Sequence, residues 1–189
     1  LWSPFVDLLK TKRWWVLTMQ LLIGAALAGI AFTLPTAMWF QCTMFFLFVM
    51  AFASATHDIS ADGFYMIELD EHNQAKFVGI RNTFYRLAVI FGNGLLVSFA
   101  GVLQVLFRNR IAFTWSLIFY GLAGLFIALW LYHGVKMPRP AADVQKDDSV
   151  SNVMAGLKTM FVTFFTKFPP RETFVVIMFL LFYRFPEAL

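Results

Sequence analysis

The sequence predicts an all-α membrane protein, with about five transmembrane helices and one cytoplasmic amphipathic helix. Three observations predict it. Of 189 residues, 60% are hydrophobic and 14% charged, against about 25% charged in ordinary soluble domains. Apolar runs of membrane-spanning length recur along the chain, and Lys and Arg gather on alternate connections, as they do on cytoplasmic loops. The mean hydropathy of +0.70 excludes a disordered or collagen-like chain. The net charge of +4 comes from those loops, so no nucleic-acid partner is expected. The lone cysteine, Cys42, excludes an internal disulfide and a cysteine metal cluster.

Spanning about 30 Å of hydrocarbon takes roughly 20 apolar helical residues, because lipid satisfies no backbone polar group. The first such run is Trp14 to about Phe32, ended by the turn Thr33-Leu34-Pro35-Thr36. The second covers Ala37 to about Thr56, the third about Phe77 to Phe107, and the fourth Ile111 to Tyr132. A fifth begins near Thr173 and continues to Leu189. Residues 133–148 read as a linker. From Ser149, a helix cap, Val153, Leu157, Phe161, Phe164 and Phe168 recur at helical spacing up to Pro169-Pro170, which fits a helix lying on the cytoplasmic leaflet. Lys10, Lys12 and Arg13, then Lys76, then Lys136 and Arg139 put the start of the chain and the 133–170 linker on the cytoplasmic side of an inner membrane; only Arg108 and Arg110 fall opposite. The chain starts without Met and stops inside an apolar run, so it reads as an internal fragment. Gly24, Gly29, Gly92, Gly94, Gly101, Gly121 and Gly124 read as close-packing positions.

Polar residues inside such runs carry the functional expectation. If the second helix continues past Thr56, Ser54, Asp58, Asp62 and Tyr65 share one face, with His57 at its edge. In the third run Asn82, Arg86 and Asn93 are spaced by four and seven, and Tyr85 flanks them. Arg86 stays charged, so it is expected to pair with an acid, Asp58 or Asp62, or to border a wet path between helices. Two carboxylates four residues apart repel, which suits one of them to carry protons. Plainer readings stay open. The acids also fit a solvated helix end, Arg86 a structural ion pair, and the two asparagines hydrogen bonds between helices.

The opening Trp2-Ser3-Pro4-Phe5-Val6-Asp7 with Lys12-Arg13 resembles the loop between helices two and three of major facilitator transporters. Ala55-Thr56-His57-Asp58-Ile59-Ser60-Ala61-Asp62-Gly63-Phe64, Thr83-Phe84-Tyr85-Arg86-Leu87 and Tyr183-Arg184-Phe185-Pro186-Glu187-Ala188 resemble the AmpG branch of that superfamily, which includes muropeptide permeases and acetyl-CoA transporters. Ser3 stands where the common loop pattern has Gly, and His57 where the branch usually has Gln. The resemblance implies a partial major-facilitator bundle: residues 1–132 as most of the N-terminal half, 133–170 as the linker between halves, and 171–189 as the start of the C-terminal half. It implies a permease in the bilayer, a secondary transporter for symport of protons with a muropeptide or related anionic metabolite by alternating access; a monomer is favoured with the oligomeric state left open, and no cofactor is expected. Asp7, Lys12 and Arg13 would form a gate. Asp58, Asp62 and Arg86 would serve coupling or a substrate carboxylate, and Tyr183, Arg184 and Glu187 would be their counterparts in helix seven.

Two other classes fit the sequence less well. Asp58-x-x-x-Asp62-Gly63 loosely resembles the acidic motif of metal-dependent head-group transferases, but no second acidic cluster, nucleophile elbow or phosphate loop follows. A non-transporting membrane subunit leaves Arg86 unexplained.

Overall fold

The computed structural model describes residues 9–108, 110–143 and 170–184, with single positions at 6, 155, 158, 159, 162, 163 and 166. Among the described residues the chain is all-helical. The helices are α1 (Lys12–Thr33), α2 (Trp39–Glu68), α3 (Glu71–Ile90), α4 (Val97–Leu106), α5 (Ile111–Lys136) and α6 (Pro170–Arg184). A π-helical turn, Phe91–Leu96, joins α3 to α4, so His72–Leu106 is one continuous rod of 35 residues. With α1, α2 and α5 it makes four helices long and apolar enough to cross a membrane. The expected fifth span is described over only 15 residues, as α6. Most of the expected surface helix lies outside the described residues.

Local chemistry explains the boundaries. Thr11 caps α1 by accepting the Trp14 N–H at 3.2 Å, and the Thr33-Leu34-Pro35-Thr36 sequence ends it where Pro35 withdraws a donor. Asp70 caps α3 through the Asn73 N–H at 3.0 Å. α2 runs far past Thr56: its 30 residues measure about 45 Å, so its last turns project beyond the hydrocarbon.

α1 is the central strut, packed along both α2 and α5. Its Met19, Ile23 and Leu27, one helical turn apart, meet Ala53 of α2 and Ala123 of α5. Lipid tails are as apolar as leucine, so close approach of small residues, rather than exclusion of water, holds such a contact. Gly24 fits this account, since a Cβ there would lie 3.3 Å from Phe126 Cβ. Gly29 does too, because a Cβ would collide with the Phe46 ring. The other five glycines do not. At Gly92, Gly94, Gly101, Gly121 and Gly124 an added Cβ meets nothing within 4 Å, so the expectation of close packing is corrected there. Their helices stand farther apart: half of α1's apolar window is buried, against 6% for the long rod. A smaller cluster, Ala100 and Leu103 with Ile118, joins α4 to α5.

Candidate functional site

The polar groups collect at the end of the bundle that carries Lys12 and Lys136. Counting the roughly 20 residues of a span from the opposite ends, Thr33, Trp39, Leu106 and Ile111, reaches Arg13 in α1, Asp58 in α2, Arg86 in α3 and the neighbourhood of His133 in α5. Counted in this way, the four residues stand about one span's length from the far ends of their helices. Arg86 is exposed, and among the described residues no acid pairs with it.

The acid-base pair forms one level lower. Arg81 Nη1 lies 2.5 Å from Asp62 Oδ1, with the two side chains 57% and 44% exposed. Oδ1 itself is buried and takes no aligned hydrogen bond among the described residues, so the contact is an ion pair and nothing more directional. The reason is register. Asp62 stands 8 residues before Asp70 and Arg81 11 after it, about 12 and 17 Å along antiparallel helices at 1.5 Å per residue, whereas Arg86 stands about 24 Å away. An arginine side chain bridges the first mismatch and not the second. The turn is fastened further by Gln74, whose Nε2 donates to Leu69 O at 2.7 Å and whose backbone carbonyl accepts from the Tyr65 hydroxyl.

Asp58 is also not held between helices. Its side chain is 73% exposed, and its nearest ionisable neighbour is His57 of the same helix, Nδ1 to Oδ1 3.9 Å. The face of α2 that turns inward is instead Ala53, Thr56, Ser60 and Phe64. Thr56 and Ser60 bury their hydroxyls by donating to Phe52 O and Thr56 O, at 2.9 and 2.7 Å, which leaves no orphaned donor.

Between α1 and α5 the buried Gln20 meets His133, Oε1 to Nδ1 3.0 Å, and His133 lies within electrostatic range of His57. Below them the ends of the helices are clamped. Asp143 accepts the backbone N–H of Lys12 on Oδ1 at 2.7 Å and that of Arg13 on Oδ2 at 3.0 Å. Those N–H groups open α1 and have no intrahelical partner, and the carboxylate also meets the positive end of the helix dipole. The Arg13 guanidinium donates to Gly134 O at 2.8 Å and Met137 O at 3.4 Å, satisfying carbonyls at the end of α5. The Lys12 side chain lies over Gly63, where a Cβ would overlap its Cδ at 2.5 Å. Of the expected gate, Lys12 and Arg13 thus fasten three helices, and Asp7 lies outside the described residues.

Along the rod, Asn82, Tyr85 and Asn93 are exposed, Tyr85 by 71%. Asn93 falls in the π turn between Gly92 and Gly94. Hydrogen bonds from i to i+5 widen that turn, so the strict α spacing that relates Asn82, Arg86 and Asn93 is interrupted before Asn93. Tyr183 and Arg184 are in α6, their side chains outside what is described, and Glu187 lies outside the described residues. Among the described residues no three His, Cys, Asp or Glu side chains come together as a metal site.

Sequence reasoning missed Arg81, Gln74, His133 and Asp143. The signal for Arg81 was the position of the α2–α3 turn; nothing local marked Asp143, whose partners lie about 130 residues away. Comparison with protein-family models, curated proteins and solved structures found no match.

Proposed function

We propose that the protein is a secondary transporter working by alternating access, in which proton-coupled uptake carries an anionic sugar-peptide or related metabolite across the inner membrane. The reading is carried by four ionisable groups, Arg13, Asp58 beside His57, Arg86 and His133, each of which stands about one span's length from the far end of its helix. Arg13 and His133 also hold helices together, whereas Arg86 and Asp58 have no such structural use among the described residues. Arg86 is the solute contact, since its planar, permanently charged fork binds carboxylate or phosphate at two points. Asp58 with His57 forms the proton-linked group, and Asn93 stands at the π turn of the rod. The resemblance to the AmpG branch of the major facilitator superfamily supports the same solute class, with the start of the chain on the cytoplasmic side.

The test is uptake of a radiolabelled anhydro-muropeptide into membranes containing the complete protein, with and without an imposed pH gradient. Accumulation that collapses with a protonophore and is abolished in Arg86→Ala, with membrane insertion unchanged, is the expected result. Uptake by Arg86→Ala at the normal rate removes its role, and turnover of a lipid head group instead of accumulation replaces the transporter by an enzyme.

A further inference from the structure

At the opposite end of the molecule the structure assigns a second site, independent of transport: a binding site for one anionic phospholipid, its head group on Arg108 and Arg110 and one acyl chain in the groove between the long rod and α5. The groove has a volume of about 300 Å³, and its walls are apolar throughout, Phe91, Leu95, Phe99 and Leu103 facing Leu117 and Leu125. It offers no directional contact to a polar solute. Its wall on the rod, from Leu103 to Phe91, measures about 18 Å at 1.5 Å per residue, close to the roughly 15 Å depth of one leaflet's hydrocarbon.

One turn above Leu103 the same two helices open into a hollow of about 390 Å³ lined by Leu106, Phe107, Arg108, Arg110 and Phe113. Two arginines stand at its rim with no acid paired to them among the described residues. Arg110 is also the N-cap of α5, where no side chain caps the first-turn N–H groups and no acidic residue enters the first turn. The positive end of a 26-residue helix therefore adds to the two guanidinium charges. Arg108 adopts the left-handed region, φ 52°, and both arginines line the same hollow. A cationic rim directly above an apolar channel of leaflet depth matches a molecule with an anionic head and a hydrocarbon tail. Glycine at 121, in the groove wall, faces open space, which keeps the channel clear.

The test compares lipids retained by the purified full chain under native mass spectrometry, offering phosphatidylglycerol and phosphatidylcholine with identical acyl chains. The expected result is at least fivefold greater retention of phosphatidylglycerol. In Arg108→Gln/Arg110→Gln retention of phosphatidylglycerol falls to the level of phosphatidylcholine. Gly121→Phe, which fills the channel from a position with room for the ring, lowers retention of both lipids. Equal retention by the unaltered chain, a preference that survives loss of both arginines, or retention untouched by Gly121→Phe overturns the proposal. Glycerol phosphate that displaces the lipid at equal concentration also overturns it, by showing that the tail adds nothing.

Discussion

Arg13 and Asp143 hold each other's surroundings in place: Asp143 Oδ2 accepts the Arg13 backbone N–H at 3.0 Å, while the Arg13 guanidinium reaches back to the carbonyl of Gly134, nine residues before Asp143. The start of α1 and the end of α5 are thereby closed by one reciprocal contact. Replacing Asp143 by Ala removes an N-terminal cap and is expected to cost about 1–2 kcal/mol, read as a lower Tm in detergent. Asp143→Asn, which keeps one acceptor oxygen, loses less. An unchanged Tm for Asp143→Ala means that the clamp contributes nothing.

Arg81 and Arg86 are expected to separate by experiment. Arg81→Ala breaks the ion pair with Asp62, but both side chains are about half exposed, so solvent screening limits the loss to below about 1 kcal/mol. The swap Asp62→Arg/Arg81→Asp recovers part of that loss in a double-mutant cycle. Arg86→Ala leaves stability within about 0.5 kcal/mol, as for a surface position, and abolishes uptake. Loss of folding in Arg86→Ala contradicts its exposure.

The glycines divide in the same manner. Gly24→Leu forces α1 from α5 at Phe126 and is expected to cost about 1–3 kcal/mol, the usual result of overpacking. Gly124→Leu meets open space and stays within about 0.5 kcal/mol. Thermal unfolding of the two variants side by side checks the contrast.

Gln20 and His133 form the one buried amide contact between α1 and α5 among the described hydrogen bonds. Gln20→Leu is expected to lower stability by about 0.6 kcal/mol, the average for a hydrogen bond between membrane helices. His133→Leu should cost the same, and the double variant no more than either. Costs that add in the double variant show that the two groups do not interact.

What the sequence revealed and what it concealed follow from the range of the forces involved. Helix existence was legible because each span has to satisfy its own backbone in lipid, a constraint that acts on about 20 consecutive residues. The end of α2 was legible only as an alternative: Asp58 and Asp62 fitted either a solvated helix end or a helix continuing past Thr56, and backbone hydrogen bonding carries α2 on to Glu68. That extension set the register that gave Asp62 to Arg81 rather than Arg86. The π turn at Phe91–Leu96 was equally hidden, since Gly92 and Gly94 are compatible with ordinary helix as well as with a widened turn. The contact of Asp143 with α1 depends on folding across 130 residues, which no local pattern encodes.

The central place of α1 constrains how the molecule is made. α1 can meet α2 almost as soon as that helix is made, but its other partner, α5, begins about 80 residues beyond the end of α1. Until α5 leaves the translocation machinery, Gln20 lacks the His133 partner it has in the folded protein, and its amide has to be satisfied elsewhere. Synthesis paused in the α3–α4 rod would leave that amide waiting, so this nascent chain should be captured by membrane chaperones most strongly at that stage and released when α5 arrives.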